Sequence, residues 1–359
     1  MHISSRSLTA VTKLLVLIIL ASVSWPTIAA ESAYVPAKHL EGPKLRYPPE
    51  SQQRGNEGLI LYSYRVNTGG DVENVQIDYS TGDLIMERHL RRWIKEQRYE
   101  PATMDGSPIA SQNTGQTIFL LRQRSRGASR RFASRWRKFT ESIAEGDLSK
   151  AQEQIDGIAS AKENSLYEEL FLQRALALYH ASNEDDDQAY RYLRTIAGFF
   201  KANSPKDETI APNSTFYAPM LEKYKFEVNN LMLGDALQSL TDLKKIDPDS
   251  SNTLAVEAHF ASVMEAVSGK VFLTKAVLKT TPYSRKKSRW SALLTRNKFA
   301  LSQIEGGLSS ATVTCSKGGM LKLDTTEDMV NEIDRSWGLC KVSVVGEKGA
   351  AFVVAQYPE

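Results

Sequence analysis

The chain has 359 residues, 42% of them hydrophobic and 24% charged. That is too apolar for a disordered protein and long enough for two or three packed domains. Its 45 basic and 42 acidic residues leave a formal net charge of +3, so no global charge points to nucleic acid, and a single long apolar run excludes a polytopic helical membrane protein.

That run lies at the N-terminus. Arg6 and Lys13 precede an apolar core from Leu14 to Val23, and Trp25-Pro26 leads into small residues ending at Ala29-Ala30. This is the layout of a secretory signal peptide over residues 1–30, cleaved after Ala29 or Ala30. The core falls short of the roughly 20 residues that span a bilayer. Two readings stay open, a cleaved leader and an uncleaved N-terminal anchor, and both export the rest of the chain. Cys315 and Cys340 both lie in the exported part, and an even pair there reads as one disulfide.

After a linker at 31–43, residues 44–123 read as a small α/β unit. Ile60, Tyr62, Tyr64 and Val66 alternate along a first strand, Thr68-Gly69-Gly70-Asp71 forms a turn, and Val75, Ile77 and Tyr79 alternate along a second strand. Asp83 is placed to cap a helix carrying Met86, Leu90, Trp93 and Ile94 on one face. Pro101 and the Asp105-Gly106 turn lead to a third strand, Gln116 to Arg122.

These residues resemble the C-terminal domain of TonB, the periplasmic energy transducer of Gram-negative bacteria. Tyr47-Pro48 matches that family's YP, and Glu57-Gly58 the EG opening its first strand. Val66, Gly70, Val72, Asn74 and Val75 match the run across its hairpin, followed by Ser80 and Gly82. Trp93 and Arg98-Tyr99-Glu100-Pro101-Ala102 match the W…(R)YEPA that closes the helix, and Asp105-Gly106-Ser107-Pro108 the next turn.

Residues 122–138 hold Arg122, Arg124, Arg126, Arg130, Arg131, Arg135, Arg137 and Lys138 with no acidic residue between them. Two readings apply, a weak contact with an anionic surface or partner, and a solvated helix face whose Phe132, Trp136 and Phe139 pack inward. From 130 to 305 the period is helical. Ala151, Ala189 and Ala236 occupy the small positions where helices pair in tetratricopeptide-like repeats. Residues 311–359 read as a small β-rich cap, with hairpin turns at Lys317-Gly318-Gly319 and Gly346-Glu347-Lys348-Gly349 and a short helix from Glu327 to Ile333. The expected fold is therefore α+β: a TonB-like β-β-α-β domain, helical hairpins, and a disulfide-linked β-rich cap.

No catalytic motif is present. His39, His89, His180 and His259 fall in no zinc spacing, and neither a GxSxG elbow nor a Walker loop occurs. Glu184 to Asp187 lack the alternating ligands of a calcium loop. The reading is a non-enzyme without cofactor or metal. The resemblance implies a periplasmic interaction protein of an envelope transport system. It would bind an extended segment of an outer-membrane transporter or other envelope protein by strand addition. Its implied contact residues are Tyr47, Pro48, Gln116, Thr117, Ile118, Phe119 and Leu120. The alternative is a TonB-type energy transducer anchored in the inner membrane and facing the periplasm. From Ala30 to Tyr47 the extended chain reaches only about 60 Å, which favours the first reading.

Overall fold

The computed structural model describes residues 34–358 apart from 82, 122–126, 161–164, 204–208, 282–283 and 318, and describes no side chain over 281–287. The leader expected at 1–30, and Gly82, Arg122, Arg124, Arg126 and Gly318, lie outside the described residues.

The chain begins β1 (Tyr34–Val35), β2 (Lys38–Glu41), α1 (Pro49–Gln53), β3 (Gly58–Val66), β4 (Val72–Ser80), α2 (Leu84–Lys95), β5 (Arg98–Glu100), β6 (Ala102–Met104), β7 (Ser107–Ile109) and β8 (Ser111–Phe119). An antiparallel sheet β4-β3-β8 is the centre of this region. Alternation along β3 splits its side chains between two cores. Ile60, Tyr62, Tyr64 and Val66 pack with Ile77, Phe119 and the α2 residues Met86, Leu90 and Ile94. On the opposite face Leu59 and Leu61 join Tyr79 and Ile118 in the core of the helical region. Asp83 caps α2, its carboxylate accepting from the N–H groups of Ile85 at 2.8 Å and Met86 at 3.1 Å.

Two boundaries differ from expectation. The stretch read as a linker contains β1 and β2, which pair with β6 and β5. The third strand spans Ser111–Phe119, not Gln116 to Arg122, because β3 pairs along its whole length, from Gly58 opposite Phe119 to Val66 opposite Ser111. The polar run Ser-Gln-Asn-Thr-Gly-Gln at its start has no apolar alternation to reveal it.

The middle of the chain is helical: α3 (Arg130–Glu145), α4 (Leu148–Ala159), α5 (Leu166–Ser182), α6 (Asp186–Ala202), α7 (Tyr217–Asn229), α8 (Leu233–Ile246) and α9 (Ser251–Val267). Consecutive helices pack against each other. Ala151, Ala189 and Ala236 are buried where those helices meet. Ser129, Asp147, Ser165, Asp185 and Ser250 each cap a helix by accepting a backbone N–H. Phe132 and Phe139 of α3 are buried with Ile155 and Ile158 of α4.

Helix stops at Val267, well short of the expected 305. Strands begin at Phe272: β9 (Phe272–Val277), β10 (Lys279–Thr281), β11 (Ser284–Leu293), β12 (Lys298–Glu305), β13 (Leu308–Cys315), β14 (Met320–Leu323), β15 (Asn331–Glu332), β16 (Cys340–Gly346) and β17 (Ala351–Gln356). Phe272, Thr274 and Ala276 are buried while their neighbours are exposed, a period of two that marks a strand. Two sheets form, β10-β11-β16-β13-β14 and β15-β12-β17-β9, and a core of Leu278, Phe299, Val313, Val342, Phe352 and Val354 lies between them.

The region from Glu327 to Ile333 contains β15, not a helix. Residues 346–349 do not close a hairpin either, since β16 and β17 belong to different sheets. The N–H of Glu347 bonds to Gly307 O and that of Gly349 to Leu278 O, so the turn's donors hold neighbouring segments and carry the chain from one sheet to the other. The Cys315–Cys340 disulfide is formed. It joins β13 to β16 at directly opposed positions.

Candidate peptide-docking edge

A sheet of three strands has two edges, each with a row of N–H and C=O groups available to another strand. At β4 the turn end is already engaged. Asp71 bridges Arg98, the two side chains form an ion pair, and the Tyr99 N–H donates to Gly70 O at 3.0 Å. Gly70 sits at φ +86° with the Tyr99 carbonyl 2.0 Å from where a Cβ would stand, so only glycine permits this approach. Among the described strands β8 pairs with β3 alone. Its outer edge pairs with no other described strand along its length.

Hydrogen-bond parity shows which residues address that edge. The Thr81 N–H donates to Leu59 O at 3.2 Å, so Leu59 turns its polar groups toward β4. Alternation turns Ile60 toward β8, where Thr117 lies opposite. Gly115, Thr117 and Phe119 therefore spend their backbone groups on β3, and Thr114, Gln116 and Ile118 direct theirs outward.

The side chains sort differently. Thr114 and Gln116 are exposed, and the Gln116 amide donates to Lys201 O at 2.6 Å. Ile118 and Leu120 lean on the helical core, and Leu120 lies just past the strand. Phe119 is buried, with the Tyr47 ring edge-on at 5.3 Å. Tyr47 O–H donates to Asn56 O. Pro48 is buried and its carbonyl accepts from Gln52 N at 3.0 Å. Beneath the strand, Tyr62 lies over Gly115, where a Cβ would come within 2.4 Å of the ring. Burial raises the Tyr62 phenol pKa, partly offset by a hydrogen bond with Thr117.

Of the seven residues singled out in the sequence, Tyr47 and Phe119 thus meet as packing at one end of β8, and Pro48 is buried next to Tyr47 in the chain. Gln116 and Ile118 contribute edge backbone, whereas Thr117 turns inward. Sequence reasoning missed Thr114. Counting back along nine paired positions from Phe119 would have found it. The basic residues Arg130, Arg131, Arg137 and Lys138 are exposed on α3, on the side away from Phe132 and Phe139. Among the described residues, no group of three His, Cys, Asp or Glu side chains is placed to hold a metal ion, and no helix is long and apolar enough to cross a membrane.

Comparison with known proteins bears on residues 43–121, which match the family described as Gram-negative bacterial TonB protein C-terminal. Over 78 residues the chain is 27% identical to Protein TonB of Pseudomonas aeruginosa, a stretch amounting to 22% of this chain and 23% of that protein. A solution NMR structure of the Pseudomonas aeruginosa TonB C-terminal domain aligns with 25% of this chain and 90% of its own, at 26% identity and a TM-score of 0.23. The chain therefore spans under a quarter of the curated relative's length. Sequence motif and family match agree that residues 43–121 form a TonB C-terminal domain.

Proposed function

We propose that this protein is a periplasmic interaction protein of an envelope transport system, and that it docks an extended segment of its partner along the outer edge of β8. The observation that carries this reading is the position of β8 at one side of the sheet, paired with β3 alone among the described strands, while the turn leading into β4 is bridged to β5 at Asp71. Thr114, Gln116 and Ile118 would supply the backbone donors and acceptors. A captured segment gains main-chain hydrogen bonds whatever its sequence, and its alternate side chains meet the exposed Thr114 and Gln116. The similarity to the TonB domain supports an outer-membrane transporter or another envelope protein as partner.

Thr114→Pro removes one outward N–H at an exposed edge position, which proline tolerates far better there than inside a sheet. Peptides copying the periplasmic N-terminal segments of the host's outer-membrane transporters should bind the full chain in calorimetry, and Thr114→Pro should weaken that binding about tenfold. Equal affinity for the variant, with its melting curve unchanged, would rule out strand addition at β8, and so would no binding at all.

A further inference from the structure

The basic run on α3 takes no part in the docking edge. At 3.6 residues per turn, Arg130, Arg131, Arg137 and Lys138 fall within about 120° of one another around the helix and within about 12 Å along it. All four residues are exposed. Arg135 borders the same arc, half-buried, with its guanidinium laid over Gly157 of α4. The opposite side of α3 is committed to the core. Phe132 and Phe139 are buried, and the Trp136 ring stacks on Phe132 at 6.5 Å and meets Phe171 edge-on at 5.0 Å. The start of the helix is held in place, because Ser129 Oγ accepts from Phe132 N at 3.2 Å and Ser129 N donates to Glu168 of α5 at 2.8 Å.

Folding does not account for these charges. Helices favour acidic residues in their first turn, and α5, α6 and α8 carry Glu168, Asp186 and Asp235 there. α3 reverses the rule. Five cations occupy its first nine residues, and its carboxylates, Glu141 and Glu145, come only in the last two turns. Glu141 stands three residues after Lys138 and four after Arg137, a spacing at which helical ion pairs form. Even so, among the described residues none of the five cations makes an ion pair. On α4, Asp156 precedes Gly157 and accepts from Gln152 at 2.8 Å. The chain as a whole is nearly neutral, with 45 basic and 42 acidic residues, so the excess is local.

We propose that the exposed arc of α3 docks the protein on an anionic phospholipid surface, its guanidinium and ammonium groups facing headgroup phosphates. The planar guanidinium fork suits phosphate oxygens, and the lysine adds a point charge. A protein partner would need an anchor, since such interfaces are held by a few large side chains in well-packed pockets. Among the described residues α3 exposes no large apolar side chain. Mobile headgroups need no anchor, and each Lys or Arg near the surface strengthens binding about fivefold. With its aromatic residues turned inward, α3 would rest on the headgroups without entering the hydrocarbon. The inference does not depend on what docks at β8.

Flotation of the full chain with phosphatidylcholine vesicles, made with and without phosphatidylglycerol, tests it. Phosphatidylglycerol should strengthen binding, and added salt should reverse the gain. The triple variant Arg130→Gln, Arg137→Gln, Lys138→Gln should lose about a hundredfold in affinity for the anionic vesicles. The double variant Arg130→Lys, Arg137→Lys keeps the charge and should bind like the wild type. The triple variant should also melt no lower than the wild type, because it removes cations from the positive end of a helix. The apolar run from Leu14 to Val23 is the same in all three proteins, so uptake through it would not distinguish them. Equal binding to the two kinds of vesicle would overturn the inference, as would anionic binding that the triple variant retains. So would polyglutamate binding through these residues with no gain on anionic vesicles, which would assign the arc to an acidic protein.

Discussion

Gly70 and Gly106 offer a controlled comparison, since both take a left-handed backbone, φ +86° and +79°. A Cβ at Gly70 would meet the Tyr99 carbonyl oxygen at 2.0 Å, while around Gly106 nothing lies within 4 Å. Alanine at either position incurs the left-handed penalty of about 1–2 kcal/mol. A stiffer unfolded chain offsets about 0.4–1 kcal/mol of it. Gly106→Ala should therefore lose about 1 kcal/mol or less. At Gly70 the methyl also displaces the Tyr99 carbonyl and with it the Tyr99 N–H bond to Gly70 O. Losing that bond costs about 1 kcal/mol, and any polar group left unsatisfied costs about 1–3 kcal/mol. Gly70→Ala should thus lose about 2–5 kcal/mol in all. Hydrogen exchange under increasing urea measures both variants and should show the Tyr99 amide exposed only in Gly70→Ala. Equal losses in the two variants, with Tyr99 equally protected, would refute the claim that a backbone wall latches the β4 edge.

Two buried features set further outcomes. Burial raises the Glu169 pKa, with Gln173 and Tyr79 hydrogen bonds only partly offsetting it. Between the unfolded and folded pKa values the native state keeps a proton that the unfolded chain has lost, so stability falls as pH rises through that window. Glu169→Gln keeps an acceptor for Tyr79 and should be more stable than wild type by about 1 kcal/mol at pH 8, with the gain gone at pH 4. A pH-independent difference in urea unfolding would contradict this. Reducing the Cys315–Cys340 bond, which spans a sequence separation of 25, should cost the strands it joins about 3.5 kcal/mol on the chain-entropy scale. Melting with and without a reductant checks it, and an unchanged midpoint would count against it.

The parts of this fold legible in the sequence were those whose period and punctuation agree. Ile60 to Val66 alternates, Gly70 marks the turn, Asp83 caps, and Met86, Leu90 and Ile94 share a helix face, so strand, strand and helix could be placed. The start of β8 could not. Its residues from Ser111 to Gln116 owe their strand conformation to pairing with β3, a tertiary cause that a polar sequence does not display. The segment from Phe272 to Leu278 was misread for a different reason. Short apolar runs fit either period, and only burial on alternate residues separates them. As for the proposed docking edge, the sequence pointed to a strand that lies at the side of the three-stranded sheet. Which backbone groups face outward depends on register, which one bond, from Thr81 to Leu59, settles.

The same register explains why the TonB C-terminal domain is not a detachable module in this chain. Leu59 is fully buried, yet it lies on the side of β3 away from α2. Its cover comes from the helical region. Leu61 fits against Gly198 of α6 so closely that a Cβ there would come within 2.3 Å of its methyl. Tyr79 donates to Glu169 of α5 at 3.1 Å. Glu57, from the EG pair that opens the first strand, accepts from Leu121 N at 3.2 Å and, with its other oxygen, from Leu166 N at the start of α5 at 3.3 Å. One carboxylate therefore clamps the end of β8 to the helix that supports the sheet, and its negative charge suits a helix N-terminus. A segment captured at β8 would bear on α5 and α6 directly. Removing those helices would leave Leu59, Leu61, Tyr79 and Ile118 facing water as one apolar patch.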